Sequence, residues 1–290
     1  LGSNTLHAYD TNNVLEFSRN ESNGRTRLEI LIAEDNPTNQ VVITKILERA
    51  NYSPYVVNNG QEALDILEQR TFDVIIMDMQ MPIMGGIEAA KIYNFSSRKE
   101  DKAPIIILTA NATKEAIQEC ADANIDAYLT KPIDIKKLLS TIQNLARESI
   151  IRDTLETQNN NPNNKTAIEG ETSLDLHTLD SLHELSNETG FIHDLITGFL
   201  LDTENQITLM ERSIALRELD SFKEYAHAIK GSSGSVGASL LHKKCKNLHR
   251  LEKDITSYTQ AIKSISDCYK TTKKEMLKYL EETCKTSESA

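Results

Sequence analysis

The sequence predicts two units of different class: an α/β unit on a doubly wound, five-stranded parallel sheet, followed by an all-α helical bundle. Three observations carry this reading. Between residues 27 and 150, short apolar runs of strand length alternate five times with stretches of helical period. A polar, asparagine-rich run at 158–164 then interrupts the pattern. Beyond it apolar residues recur only at spacings of three and four, as in antiparallel bundles.

Each element follows in turn. Residues 1–26, rich in Asn, Ser and Thr, cannot bury much apolar surface and read as a flexible tail or linker. The chain starts at leucine, which suggests a piece of something longer. Leu28, Ile30, Leu31, Ile32 and Ala33 form a strand. Glu34-Asp35-Asn36-Pro37 ends it and supplies an N-cap and a proline for the first helical turn. Val42, Ile43, Ile46, Leu47 and Ala50 give the helix, residues 55–57 the second strand, and Ala63, Leu64 and Leu67 the next helix. Val74, Ile75, Ile76 and Met77 are continuously apolar, as in a central parallel strand covered on both faces. Asp78 stops that run, and Pro82 with Gly85 and Gly86 forces a loop before the third helix. Residues 104–108 form a buried strand ending in Thr109-Ala110, followed by a helix through Ile117 and Cys120. Residues 127–129 lead into Thr130-Lys131-Pro132 and a long helix through Leu138, Leu139, Ile142 and Leu145. Such alternation implies right-handed crossovers. The α/β domain spans 27–150, a flexible linker 151–173, and the bundle 174–290. Its stripes are Leu179, Leu182 and Leu185; Ile192 through Ile214; Phe222, Ala226 and Ile229; Leu241, Cys245, Leu248 and Leu251; and Ile262 through Leu280.

Composition narrows the function. A formal net charge of -11 argues against a sequence-independent grip on nucleic acid. Lys243, Lys244, Lys246, Arg250 and Lys253 cluster, as a solvated helix face would. Cys120, Cys245, Cys268 and Cys284 form no CxxC pair, so free thiols are expected rather than disulfides or a zinc site. No apolar run reaches the roughly 18–20 residues of a membrane span, and no secretion signal opens the chain, so this segment is expected in the cytoplasm without membrane contact.

Chemistry concentrates at the strand ends. With strand order 2-1-3-4-5, Glu34, Asp35 and Asp78 converge at the switch point of the sheet. Three adjacent carboxylates are costly unless a cation joins them, and a hard divalent ion, Mg²⁺, is the economical solution. Thr109 and Lys131 end neighbouring strands and suit an anion. A carboxylate is a competent nucleophile toward a phosphoryl group presented in line, so Asp78 is a candidate aspartyl phosphate. Singly, Asp35 could be a helix cap, Asp78 a strand terminator, Thr109 a turn former and Lys131 a surface charge; their meeting at one sheet edge favours function. A Mg²⁺-dependent phosphohydrolase would need a second acid near Asp78, where Gln80 stands instead.

In the bundle, His227 lies about 100° off the Phe222, Ala226, Ile229 stripe and is expected to face solvent. Lys230, Gly231 and Gly234 share its face, and glycines weaken a helix by roughly 1 kcal/mol each, so they need another reason. Bare backbone around an imidazole lets a second protein's active site approach. A neutral imidazole is nucleophilic near neutral pH, and Lys230 could steady an added phosphoryl group. His7, His177, His183, His193, His242 and His249 read as ordinary solvent-facing histidines.

Glu34-Asp35, Asp78 with Met81-Pro82 and Gly85, Thr109-Ala110 and Lys131-Pro132 together resemble the receiver domain of two-component response regulators, over about residues 27–150. The resemblance implies a flavodoxin-like fold with Asp78 as phosphoacceptor. It implies Asp35, Asp78 and the backbone carbonyl of Gln80 as Mg²⁺ ligands, with Glu34 assisting through water. Glu34 stands where many receivers have Asp, as is common in hybrid kinases. A switch is implied in which Thr109 turns to the phosphoryl group and Tyr128 moves inward, and the Lys131-Pro132 bond is expected to be cis. His227-x-x-Lys230-Gly231-Ser232-Ser233 with Gly237-Ala238 resembles the histidine phosphotransfer domain, over about 174–285. Together these imply the C-terminal part of a hybrid sensor histidine kinase, without an ATP-binding kinase domain in this chain and with any inner-membrane anchor elsewhere. Phosphate would pass from an upstream kinase histidine to Asp78, then His227, then a separate downstream response regulator. The alternative is a docking module independent of phosphorylation.

Overall fold

The computed structural model describes residues 27–96, 102–110, 113–152, 173–186, 190–246, 248 and 255–287. The tail at 1–26 and residues 153–172 of the expected linker lie outside the described residues, as do His7, His249, Arg250, Leu251 and Lys253.

Five strands and five helices alternate through the first half: β1 Glu29–Ala33, α1 Pro37–Arg49, β2 Ser53–Val57, α2 Gly60–Leu67, β3 Val74–Asp78, α3 Gly86–Ser96, β4 Ile105–Thr109, α4 Lys114–Asp122, β5 Ala127–Thr130 and α5 Ile135–Arg152. All pairings are parallel and the strand order is β2-β1-β3-β4-β5, the doubly wound order expected. Crossovers place helices on both faces, so every residue of β3 and β4 is buried. Each such Val, Ile, Leu or Met side chain contributes about 1.5–3 kcal/mol when fully buried. Edge strands β2 and β5 are mostly exposed or half-buried.

Register aligns the carboxyl ends. Ala33 lies opposite Met77, Asp78 opposite Leu108 and Thr109 opposite Thr130, so Glu34, Asp78 and Lys131 emerge along one edge. Sequence chemistry then turns the chain into α1: the Asn36 side chain accepts from the Asn39 N–H and Pro37 occupies the first turn. The Lys131-Pro132 bond is cis.

The second half is helical: α6 Leu176–Glu184, α7 Phe191–Leu216, α8 Leu219–Ser235, α9 Ser239–Lys246 and α10 Ile255–Ser287. Arg217 adopts left-handed backbone at φ 61°, which ends α7 and reverses the chain into α8. Phe222 meets Tyr258 edge-on, with ring centroids 4.8 Å apart at 82°, at the centre of the bundle. Phe222, Ala226 and Ile229 are core residues as their spacing requires. No helix among the described residues is long and apolar enough to cross a membrane.

The two halves pack together. α1 lies against α7 and α8, and one apolar cluster runs from Ile43 and Ile46 through to Phe199 and Phe222. Lys45 Nζ sits 5.8 Å from the centroid of the Phe191 ring across this junction.

Candidate functional site

The acidic edge is built around one lysine. Lys131 Nζ donates to Glu34 Oε2 and to Asp78 Oδ2, each at 2.6 Å. All three side chains are at least 95% buried. The position of Lys131 is fixed by its own backbone, whose N–H donates to the Thr109 carbonyl at 2.8 Å. Glu34 Oε1 accepts from Asn39 Nδ2 at 2.9 Å, and Asp78 Oδ1 accepts the Gln80 N–H at 3.3 Å. Burial is the main reason the Glu34 carboxyl is pushed up to about 7, with Lys131 pulling it down and Asp78 pushing it up. Burial and then Asp78 push half-buried Asp35 up to about 6. Burial lowers the Lys131 ammonium's pKa, but Glu34 and Asp78 outweigh it and hold the group above the usual lysine range.

Glu34, Asp35 and Asp78 each offer an oxygen, and these atoms lie within 4.8 Å of one another. One ammonium balances only part of their charge. The donor set is all hard oxygen, so it fits Mg²⁺ better than a softer metal.

A cleft of about 990 Å³ opens on this edge, and its far wall is the helical bundle. Glu34, Asp35, Asp78 and Lys131 line it from one side, His227 and Lys230 from the other. The expectation that His227 faces solvent is therefore corrected: it is half-buried and looks into the cleft shared with the sheet edge, because α8 packs on α1. Burial is the main cause lowering the His227 pKa, so its neutral form dominates near pH 7, and the Asp78 charge opposes the shift in part. Lys230 is 5% exposed, and burial followed by Lys246 lowers its ammonium.

The space left by the glycines is filled from within the chain. A Cβ on Gly231 would lie 3.4 Å from Asn39 Nδ2; one on Gly234 would lie 2.9 Å from His242 Nδ1 and 3.5 Å from Pro132 Cβ. His242 is not the ordinary solvent-facing histidine its sequence context suggests: it is half-buried, and its Nδ1 donates to the Lys230 carbonyl at 2.8 Å. His177, His183 and His193 are exposed.

Not every expected residue reaches the cleft. Thr109 is buried and its hydroxyl donates to Met79 Sδ at 3.6 Å; it is not among the described residues lining the cleft. Tyr128 lies on β5 with its side chain outward, 37% exposed. Gln80 lines the cleft. Asn39 and Ser235 escaped the sequence reading, as did Gln206, whose Oε1 is buried at the cleft wall and finds no hydrogen-bond partner among the described residues. No residue-type signal marks them. Cys120, Cys245 and Cys268 are buried free thiols, as expected.

The site sets an acidic, lysine-bearing sheet edge against a histidine carried on a helix. Comparison with known families agrees: the response regulator receiver domain family matches residues 30–143 and the Hpt domain family matches 194–283. The chain is 29% identical over 232 residues to the sensory/regulatory protein RpfC of Xanthomonas campestris pv. campestris, covering 79% of this chain and 31% of that protein. It is 27% identical over 210 residues to the aerobic respiration control sensor protein ArcB of Escherichia coli, covering 72% and 26% respectively. The chain thus spans less than a third of either relative. The receiver domain of a sensor histidine kinase from Pseudomonas aeruginosa PAO1, crystallised with a magnesium ion in its active-site cleft, is 33% identical, covering 42% of this chain and 98% of that one at a TM-score of 0.39.

The chain carries a response regulator receiver domain at residues 30–143 followed by an Hpt domain at 194–283.

Proposed function

We propose that Asp78 accepts a phosphoryl group from the histidine of an upstream kinase domain and that His227 takes it on toward the receiver domain of a separate response regulator. The observation that carries this reading is the shared cleft, with Asp78 and Lys131 on one wall and His227 and Lys230 on the other. The chain would form the C-terminal part of a hybrid sensor histidine kinase working in the cytoplasm, with any inner-membrane anchor in another segment. The buried free thiols suit that reducing compartment.

Mg²⁺ held by Asp35, Asp78, the Gln80 backbone carbonyl and, through water, Glu34 would neutralise phosphoryl oxygens. Lys131 is charged throughout and holds another of those oxygens. In the first step an Asp78 carboxylate oxygen attacks phosphorus as the donor's N–P bond breaks, leaving a neutral imidazole on the donor. In the second, the lone pair of neutral His227 attacks, the O–P bond breaks, and the Asp78 carboxylate returns to its bond with Lys131. Lys230 steadies the phosphoryl group on His227. Thr109 must exchange its bond to Met79 for one to the phosphoryl group, with Tyr128 moving inward behind it.

The test is to supply a labelled small phosphodonor with Mg²⁺ and follow acid-stable label, as on an aspartate, and acid-labile label, as on a histidine. Wild type should carry both. Asp78→Asn should carry neither, and His227→Gln only the acid-stable form. Label at neither residue with a cognate kinase present would favour a docking module instead.

A further inference from the structure

One hydrogen-bonded path leaves the acidic site and ends on the helix that carries His227. Asp78 and Glu34 share Lys131 at 2.6 Å, Glu34 accepts from Asn39 Nδ2 at 2.9 Å, and Asn39 Oδ1 accepts from Ser235 Oγ at 2.8 Å. Ser235 is the last residue of α8. Asn39 is 2% exposed, and its backbone N–H is tied to Asn36 Oδ1 at 3.1 Å, so its Cα sits at a fixed place in the first turn of α1 and burial restricts the carboxamide it carries.

The chemistry of the partners fixes which way the amide points. Glu34 receives the Lys131 ammonium at Oε2 and presents Oε1 as an acceptor, so the NH₂ end faces it, and the carbonyl end receives the serine hydroxyl. A carboxamide serves both ends, donating through Nδ2 and accepting through Oδ1. Aspartate would set a fourth carboxylate beside Glu34, and leucine would leave two buried polar groups without this partner. Gly231 lies close beside this amide: a Cβ added there would stand 3.4 Å from Asn39 Nδ2.

We propose that Asn39 is a positioning residue that fixes α8 on the receiver, holding His227 toward Asp78 by grasping Glu34 with one end of its carboxamide and Ser235 with the other. The inference rests on the proposed transfer from Asp78 to His227. Asn39 acts through these partners and does not meet the phosphoryl group. The same bond reports on the acidic site, because whatever engages Glu34 is felt one link away at α8.

The experiment uses the full chain with acetyl phosphate and Mg²⁺, and rapid quench to separate loading of Asp78 from movement of label to His227. Ser235→Ala should load Asp78 at the wild-type rate yet transfer about tenfold more slowly, the effect of losing one hydrogen bond of about 1.4 kcal/mol. Asn39→Leu should also slow transfer, and the double variant should be no slower than Asn39→Leu alone. A Ser235→Ala chain that transfers at the wild-type rate overturns the positioning role, as do additive effects in the double variant. Absence of transfer in the wild type itself overturns the underlying reading as well, so the two failures are distinct.

Discussion

Replacing Lys131 by methionine keeps roughly the volume of the side chain and removes its charge. Glu34 and Asp78 each lose a 2.6 Å bond to a buried ammonium and face one another directly. Removing one partner of a buried ion pair costs about 3–5 kcal/mol, a large share of the 5–15 kcal/mol that holds a typical domain. That cost depends on pH in a definite sense. Glu34 has a folded pKa raised from 4.5 to about 7, so the stability it contributes is complete below 4.5 and is lost as pH rises through about 7. Lys131 is what pulls that value down, so its removal drives it higher and extends the loss above pH 7. Near pH 5 Glu34 is protonated in both proteins, and what is lost is chiefly the bond between Lys131 and Asp78, about 1.5–3 kcal/mol for a hydrogen bond between charged groups. Urea unfolding followed by circular dichroism, with chelator present, should show a gap between wild type and Lys131→Met of about 3–5 kcal/mol at pH 8, narrowing at pH 5. An equal gap at both pH values would refute the electrostatic reasoning.

Other consequences can be measured directly. The His227 ring should titrate below 6.5 by NMR, and Asp78→Asn should lower the midpoint further, because the Asp78 carboxylate raises it; a midpoint above 6.5 contradicts the burial argument. Gly86→Ala should slow phosphoryl loading of Asp78, since the added Cβ would overlap the Asp78 carbonyl oxygen and must displace the strand end; an unchanged loading rate contradicts this. Phe222→Ala should cost about 3–5 kcal/mol in urea unfolding, because a fully buried ring packed edge-on to Tyr258 leaves a cavity at the centre of the bundle. A loss below about 1 kcal/mol would mean the bundle core collapses around the gap.

Much of this architecture is legible because it depends on local period. The runs at 30–33, 74–77 and 105–108 are apolar at every position since helices cover both faces of the sheet, and nothing else in the chain has that pattern. Asp78 is legible for the complementary reason: a carboxylate ending such a run needs a partner, and Lys131 supplies it. What is not legible depends on contact between the two halves. His227 is off the core stripe of its own helix, and only the approach of α1 turns that face into the wall of a cleft. Asn39 and Ser235 are 196 residues apart and polar, so no periodicity connects them. Thr109 reads correctly as a strand end, yet rotation about its side chain, which sequence does not encode, gives its hydroxyl to Met79. His242 looks like surface until α9 folds back on α8 and gives it the Lys230 carbonyl.

Transfer across the shared cleft, from Asp78 to His227 of one chain, is a unimolecular step. It is tested most directly by loading Asp78, removing the donor, and timing the appearance of acid-labile label on His227 at several chain concentrations. The expected result is a first-order rate that does not change with concentration and is absent in Asp78→Asn. A rate proportional to chain concentration, or label reaching His227 in Asp78→Asn, would contradict it.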